Sequence, residues 1–208
     1  MKVPRGALIV IEGLDRTGKT TQCKRLVSNL IEAQVKTEYT NFPNRNTEVG
    51  AVICNYLNSK NSLTNEAIHL LFSANRWEKA EEIIKTLQEG VTLIVDRYCY
   101  SGVAYSAAKG LDIDWCKSPD VGLPKPDKVF FFTMPLDQIE ERKGYGNEKY
   151  EVSDFQKKVG EMFMKLKDDS WEILDANRSV DDIEKELLQR ILQVLKEIEK
   201  KPLGKVWL

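Results

Sequence analysis

Some apolar residues of the chain form short continuous runs. Between these runs lie longer stretches in which apolar residues recur every three or four positions. The run at 91–95 is continuous rather than alternating, which is typical of a strand covered on both faces of a parallel sheet. The longer stretches predict helices that bury one face. The predicted fold class is therefore α/β, with a parallel sheet flanked by helices. The predicted strands cover residues 7–11, 36–41, 91–95, 129–132 and 171–174.

Four long helices are predicted from the spacing of their apolar residues. The first follows the first strand directly, and its apolar face consists of Cys23, Leu26, Val27, Leu30 and Ile31. The others cover residues 47–59, 64–88 and 180–199, and Gly90 fits a helix stop signal. Strands and helices alternate along the chain, which is why the sheet is expected to be parallel.

Directly after the first strand, residues 13–20 match the pattern G-x-x-x-x-G-K-[ST]. The octet consists of Gly13, Leu14, Asp15, Arg16, Thr17, Gly18, Lys19 and Thr20. Its glycines let the backbone fold into a nest of N–H groups that binds phosphate. Lys19 can reach β- and γ-phosphate oxygens, and the Thr20 hydroxyl can complete a magnesium shell. The flanking strand and helix favour a phosphate-binding loop over an ordinary glycine-rich turn.

Further polar and aromatic residues follow the second and third predicted strands. Phe42 and Arg45 come after the second strand, and Asp96 and Arg97 end the third. Ligands of such sheets bind beyond the carboxyl ends of the strands, so we expect these residues and the loop to face one cleft. The expected chemistry is transfer of a γ-phosphoryl group, in which the protein positions the reactants and neutralises charge.

Composition narrows the class of partner. A chain of 208 residues without a composition break is expected to form one domain, residues 1–208. Its 31 Lys and Arg residues balance 32 Asp and Glu residues, so no basic surplus is available for a nucleic acid. The four cysteines lie far apart, which suits reduced thiols in the cytosol or nucleus. No apolar run approaches the ~20 residues that span a membrane, so small molecules are the expected partners.

Several segments beyond the loop form a recognisable set. They are residues 5–10 (RGALIV), 41–43 (NFP), 70–78 (LLFSANRWE), 95–98 (VDRY), 101–105 (SGVAY) and 120–127 (DVGLPKPD). Over nearly the whole chain, this set resembles the P-loop nucleoside-monophosphate kinases, and most closely the thymidylate kinase family of eukaryotic type. The resemblance implies ATP-dependent phosphorylation of dTMP to dTDP for dTTP synthesis. It also implies a five-stranded parallel sheet with helices on both faces and a mobile lid at about residues 142–151.

The resemblance assigns acceptor-side roles residue by residue. It places Asp15 at the sugar 3′-hydroxyl, and Arg45 and Arg97 at the acceptor phosphate, which guanidinium groups bind well. Phe72 resembles the ring that stacks on thymine, and Arg76, one helical turn further, resembles the donor to the base carbonyl O4. The other expected acceptor-side residues are Phe42, Ser101, Gly102, Tyr105, Glu148 and Tyr150.

Tyr105 resembles the side chain that crowds the sugar 2′ position and so favours deoxyribose. Arg16 matches a basic loop residue that lies over the transferring phosphoryl group, an arginine finger supplied in cis. Asp96 resembles the Walker B carboxylate, which would hold Mg²⁺ together with Thr20. As ATP-binding residues, the resemblance adds Thr21, Arg142 and Arg178 to the loop. The expected catalytic residues are Asp15, Arg16, Lys19, Asp96 and Arg97.

Some features also fit simpler interpretations. Phe72 fits core packing, and Arg76 alone fits a surface charge. His69 is expected to be structural, because phosphoryl transfer does not require it. Glu12 is expected to orient loop groups or a water, and the lid lysines, at 143 and 149, have no assigned role. Trp77, Trp115 and Trp171 are expected to be packing anchors.

Two competing functions stay open at this point. A deoxynucleoside kinase shares the loop and the arginine at a strand end, but it needs a carboxylate base for a neutral hydroxyl. The other is a nucleotide-binding switch or an inactive regulatory module. A GTPase switch needs the guanine-reading pattern N-K-x-D, which the sequence lacks, and an inactive kinase would normally lack Lys19, Arg16 or Asp96, which are all present. Homodimers are usual in the family that the chain resembles, and apolar helix faces are the expected interface.

Overall fold

A single sheet of five parallel strands lies at the centre of the molecule. The computed structural model describes residues 4–142, 149–198 and 201–208. The strands are β1 (Leu8–Gly13), β2 (Thr37–Asn41), β3 (Thr92–Asp96), β4 (Lys128–Thr133) and β5 (Trp171–Asp175). Their spatial order is β2-β3-β1-β4-β5, and every neighbouring pair runs parallel. The predicted five-stranded parallel sheet is confirmed.

Helices cover both faces of this sheet. In the described parts of the chain they are α1 (Lys19–Glu32), α2 (Glu48–Leu57), α3 (Asn65–Gln88), α4 (Cys99–Ala107), α5 (Ile113–Lys117), α6 (Leu136–Glu140), α7 (Ser153–Leu166) and α8 (Val180–Ile198). Thr47 and Thr64 cap α2 and α3 by accepting backbone hydrogen bonds, so each helix begins one residue later than predicted. Residue 199, the predicted end of the last helix, lies outside the described residues.

Alternate residues of β1 belong to two hydrophobic layers. Leu8 and Val10 pack with side chains of α3, α4 and α7, whereas Ile9 and Ile11 pack with side chains of α1 and α8. Both faces of the central strand are therefore buried, as its apolar run predicts. None of the described helices combines the length and apolar character needed to cross a membrane.

A few side chains depart from their predicted environment. Ile31, predicted on the buried face of α1, is 52% exposed because it lies about 100° around the helix from buried Leu30. Trp171 is buried, whereas Trp77 and Trp115 are 43% and 38% exposed, so these two pack at the surface rather than in the core, Trp115 against the His69 ring. Both exposed tryptophans belong to helices at the outer surface, α3 and α5.

The register of the strands aligns the ends from which the site is built. Ile11 of β1 and Asn41 of β2 both pair with Asp96 of β3. The connections that follow these three strands therefore start from the same edge of the sheet. The predicted phosphate-binding loop is one of them, because it joins β1 to α1.

Candidate active site

The loop at residues 13–20 has the backbone that its glycines predict. Gly13 and Gly18 have φ angles of 145° and 92°. A Cβ atom on Gly13 would lie 2.6 Å from the carbonyl oxygen of Phe132, so a larger residue does not fit there. Because α1 begins at Lys19, its N-terminal N–H groups and its dipole favour an anion at the loop.

The loop borders an open cleft of about 620 Å³. The cleft also reaches the connections after β2 and β3, and side chains of α3 and α4. The predicted site residues that line it are Asp15, Arg16, Gly18, Lys19, Thr20, Thr21, Phe42, Arg45, Phe72, Arg76, Asp96, Arg97, Ser101, Gly102, Tyr105, Arg142 and Tyr150. The structure thus brings together residues that are up to 135 positions apart in the sequence.

Lys19 is almost completely buried at the base of the loop. Its Nζ donates a hydrogen bond to the carbonyl oxygen of Leu14, which also accepts one from Thr17 Oγ1 at 3.0 Å. Burial, assisted by the charge of Arg97, lowers the pKa of Lys19 to about 8, although Asp15 acts in the opposite direction. Leu14 and Thr17 support the loop from within and do not line the cleft.

Thr20 and Asp96 bring two oxygen ligands together at the cleft. Thr20 Oγ1 donates a hydrogen bond to Asp96 Oδ2, which joins α1 to the end of β3. Hydroxyl and carboxylate oxygens are ligands that Mg²⁺ prefers, with phosphate and water oxygens completing the shell. Residues 4–142, 149–198 and 201–208 contain no cluster of three or more His, Cys, Asp or Glu that would hold a metal alone. The donor set therefore fits a magnesium ion that is shared with phosphate.

Asp15 is the centre of a hydrogen-bond network. Its Oδ1 accepts a hydrogen bond from Arg97 Nη2, and its Oδ2 accepts from the Tyr105 hydroxyl at 2.9 Å and from Gln156 Nε2 at 2.7 Å. Burial acts to raise the pKa of Asp15, but the charges of Arg97 and Lys19 outweigh it and lower that pKa. Asp15 is therefore held as a carboxylate that accepts hydrogen bonds.

Two arginines of the cleft have left-handed backbone conformations. Arg16 has φ 62° and Arg97 has φ 66°, which for a residue with a Cβ costs roughly 1–2 kcal/mol each. Such strain concentrates at functional sites. Arg97 Nη1 donates to the Gly13 carbonyl oxygen at 3.2 Å and to Ser101 Oγ at 3.1 Å. The Arg97 side chain thus connects the loop to α4.

Arg16 points toward a carboxylate that the sequence did not single out. Its Nε donates to Glu151 Oε1 at 2.6 Å, and Glu151 is 6% exposed. Arg142 Nη1 donates to the backbone carbonyl oxygen of Arg16 at 2.8 Å. Residues on both sides of the segment 143–148 therefore contact the loop. That segment, which includes Glu148 and the lysine at 143, lies outside the described residues.

Phe72 and Arg76 lie one turn apart on α3, and both line the cleft. Phe72 is half-buried, whereas Arg76 is 2% exposed and donates to both carboxylate oxygens of Asp120. Arg76 is therefore not the surface charge that it resembles in isolation. Asp120 belongs to the 3₁₀ turn Ser118–Asp120.

Tyr150 and Lys109 line the cleft and contact each other, and Tyr150 also contacts Tyr56, which does not line it. The Tyr150 hydroxyl donates to the Tyr56 hydroxyl at 3.2 Å. Lys109 Nζ donates to the Tyr150 hydroxyl at 3.3 Å, and burial lowers the pKa of Lys109 to about 8. Lys149, for which the sequence suggests no role, lies 3.8 Å from the centre of the Tyr56 ring. The contact of Lys149 is therefore a cation–π contact.

Three other residues for which the sequence predicts a role have the following places in the structure. Arg178 is exposed, pairs with Glu186 and does not line the cleft, so its predicted contact with adenine stays a prediction. Gly13 contributes to the loop through its backbone. His69 is buried, with Nε2 donating to the Cys116 carbonyl oxygen at 2.9 Å and Nδ1 accepting from Ser106, so it is a structural residue as expected.

Three features define a class of protein: the loop between β1 and α1, the 2-3-1-4-5 order of parallel strands, and the cleft beside α3 and α4. That class is the P-loop nucleoside-monophosphate kinases.

Comparison with known proteins narrows this class to one family. The family model described as thymidylate kinase matches residues 11–187. A thymidylate kinase of Arabidopsis thaliana is 51% identical over 205 residues, which cover 98% of this chain and 78% of that protein. A thymidylate kinase of Homo sapiens is 43% identical over 211 residues, which cover 100% of this chain and 100% of that protein. The structure of a thymidylate kinase from Candida albicans has a TM-score of 0.86 at 38% identity, covering 97% of this chain and 98% of that one. The chain belongs to the thymidylate kinase family.

Proposed function

We propose that this chain transfers the γ-phosphoryl group of ATP to dTMP and so forms dTDP. Its family supports the reaction. The observation that carries the assignment is that the phosphate-binding loop shares one cleft with Phe72 and Arg76. The loop suits a triphosphate, and a ring beside a fixed guanidinium suits a flat base with a carbonyl oxygen.

The acceptor in this proposal is a monophosphate and not a nucleoside. Arg45 and Arg97 both line the cleft, and Arg97 joins the loop to α4. Two guanidinium groups favour an acceptor that carries phosphate, whereas the competing deoxynucleoside kinase has to activate a neutral hydroxyl. Asp15 does not suit the base that such a kinase needs, because, despite burial, the charges of Arg97 and Lys19 lower its pKa and so make it a weak base.

On the donor side, residues 13–21 bind the triphosphate, with Lys19 at the β- and γ-phosphate oxygens. Arg16 stabilises the charge that develops on the transferring group, and the contact of Arg142 with the Arg16 carbonyl oxygen brings Arg142 beside the donor. Thr20 and Asp96 would hold Mg²⁺. When bound, that ion neutralises charge on the β- and γ-phosphates.

On the acceptor side, Asp15 receives a hydrogen bond from the sugar 3′-hydroxyl, and Tyr105 leaves no room for a 2′-hydroxyl. Phe72 stacks on the base, and Arg76 donates to its O4 carbonyl. The remaining acceptor contacts come from Phe42, Ser101, Gly102 and Tyr150, all of which line the cleft. A role for Glu148 stays a prediction.

A panel of nucleoside monophosphates tests this function. ADP release is coupled to a spectroscopic readout in the presence of MgATP and each acceptor. We expect turnover with dTMP and dUMP, and poor turnover with AMP and CMP, because the last two present amino groups where Arg76 donates. Equal turnover of AMP would end the thymidylate assignment, and phosphorylation of thymidine in place of dTMP would favour a deoxynucleoside kinase.

The proposed organisation is one domain whose lid spans about residues 142–151, in a homodimer within a reducing compartment. Leu70 and Trp77, seven residues apart on α3, are 47% and 43% exposed. Trp77 Nε1 donates to the Pro119 carbonyl oxygen, and Trp115 and Val121, close to Pro119 in the sequence, are each 38% exposed. Such an apolar face suits a second copy. Sedimentation should show a dimer that Trp77→Lys weakens. All four cysteines are free.

A further inference from the structure

Arg76 and Asp120 form a completely buried ion pair beside the cleft. Arg76 Nε donates to Asp120 Oδ1 at 3.1 Å, and Arg76 Nη2 donates to Asp120 Oδ2 at 2.5 Å. The side chains are 2% and 0% exposed. Two parallel hydrogen bonds between planar groups fix the orientation of the guanidinium as well as its position.

Neighbouring residues hold this pair on two further sides. The Ser73 hydroxyl, also on α3, donates to Asp120 Oδ1 at 2.7 Å. The guanidinium also lies against α4, which approaches so closely that a Cβ on Gly102 would lie 2.7 Å from Arg76 Nη2 and 2.9 Å from Nη1. The guanidinium therefore has little freedom to rotate or shift within its pocket.

The pair also determines which donors of Arg76 are left for a ligand. Because Nε and one N–H of Nη2 are engaged with Asp120, the Nη1 group and the second N–H of Nη2 stay available. Arg76 lines the cleft, so these donors serve a ligand there. A guanidinium carries donors only and does not lose its charge, so it accepts a carbonyl oxygen and opposes an amino group at the same place.

We infer that Asp120 is a positioning residue through which the protein selects acceptors whose base carries a carbonyl oxygen, rather than an amino group, beside Arg76. The inference rests on the proposed function, in which Arg76 donates to O4 of the base. Asp120 acts through Arg76 and does not itself line the cleft. Base selectivity thus depends on the 3₁₀ turn Ser118–Asp120 as well as on α3.

Stability alone is a weak explanation for such a pair. Desolvation of two charges offsets most of their attraction, and buried ion pairs often contribute little net stability. Removing one partner nevertheless leaves a buried unpaired charge, so loss of folding has to be separated from loss of selectivity. The chain offers a control in Arg5 and Asp127, a second pair with two hydrogen bonds, of 2.8 and 2.6 Å. That pair joins the N-terminal segment to the start of β4, and neither residue lines the cleft.

The test compares Asp120→Asn with Asp127→Asn in the full chain. kcat/KM is measured for dTMP and for dCMP, whose base carries an amino group at the position of O4, after thermal melts have identified folded protein. We expect Asp120→Asn to lower the dTMP-to-dCMP ratio by about tenfold or more, chiefly through KM for dTMP. Asp127→Asn should keep the ratio of the unchanged chain even if it lowers the melting temperature.

A folded Asp120→Asn protein with an unchanged ratio would overturn the inference. If that variant does not fold, Ser73→Ala provides the test of the inference, because it removes one hydrogen bond from Asp120 and leaves the ion pair in place. It should lower the same ratio by about two- to fivefold, and an unchanged ratio would again overturn the inference. Failure of the proposed function gives a different result from failure of this inference, because the unmodified chain itself would then show no preference for dTMP over dCMP.

Discussion

The Ser101 hydroxyl donates a 2.5 Å hydrogen bond to Oε2 of Glu12, a carboxylate at the end of β1 with no exposed surface. Oε1 of Glu12 accepts from the backbone N–H groups of Tyr98 and Ser101, at 2.9 and 3.0 Å, where α4 begins. Because Ser101 Oγ also accepts from Arg97, Glu12 indirectly supports the arginine that we propose to bind the acceptor phosphate. Burial raises the pKa of Glu12, and these donors together with Arg97 counteract the rise.

Removing the Ser101 hydroxyl should therefore affect both stability and acceptor binding. Ser101→Ala should lower the free energy of unfolding by about 1.5–3 kcal/mol, the usual cost of losing a buried hydrogen bond to a charged group. KM for dTMP should rise more than KM for ATP, because Arg97 loses a partner. Urea denaturation and steady-state kinetics measure the two effects. Ser170→Ala, which removes an exposed hydrogen bond to Asp168, is the matched control and should leave both quantities nearly unchanged.

Arg16 is expected to act on the transferring phosphoryl group. Arg16→Ala should lower kcat by roughly 1,000-fold with little change in KM for dTMP, because the lost contact belongs to the transition state. Arg25→Ala is the control, since Arg25 pairs with Asp181 on the exposed side of α1 and does not line the cleft. A loss below tenfold for Arg16→Ala would remove Arg16 from the proposed role.

The lowered pKa of Lys19 predicts that ATP binding depends on pH. Burial lowers the pKa of Lys19 in the free protein to about 8, and a bound triphosphate stabilises the charged form. Binding at pH 8 should therefore take up protons, and affinity should fall as the pH rises above 8. Calorimetric titration of a non-hydrolysable ATP analogue, in buffers of different ionisation enthalpy, measures the uptake. Lys19→Met should abolish the uptake, whereas uptake that persists in this variant would assign the proton to another group.

Tyr105 is expected to exclude ribose by its size. Tyr105→Ala should lower the dUMP-to-UMP ratio of kcat/KM by about tenfold, because it opens space beside the sugar. Tyr105→Phe keeps the ring and loses the hydroxyl with its 2.9 Å hydrogen bond to Asp15, so it should retain the ratio. If Tyr105→Ala leaves the ratio unchanged, discrimination between the sugars does not depend on this side chain.

Most elements that bury one face were predictable from sequence, although α7, which buries Val159 and Phe163, was not assigned a range. The periodic helices and the continuous apolar strands were found within one or two residues in most cases. α4 was not predicted, because residues 99–106 are all buried and such a helix has no polar face to produce a period. The caps of α2 and α3 explain their late starts, since Thr47 and Thr64 lie outside the helices that they cap.

Local motifs and the family resemblance predicted most of the residues that line the cleft, but not the partners that orient them. The loop is contiguous, and Asp96 and Arg97 follow a recognisable strand. The partners that orient these groups are distant in sequence: Asp120 is 44 residues from Arg76, and Gln156 is 141 residues from Asp15. Such pairs leave no spacing pattern, so only the folded chain shows them.

The most direct measurement of the central claim follows the phosphoryl group itself. The purified chain is incubated with Mg²⁺, dTMP and ATP that is labelled in its γ-phosphate, and the nucleotides and protein are then separated. Direct transfer across the shared cleft predicts label in the β-phosphate of dTDP, one equivalent for each ADP formed, and none on the protein. Label that appears only in inorganic phosphate, or no labelled dTDP at all, would contradict the account.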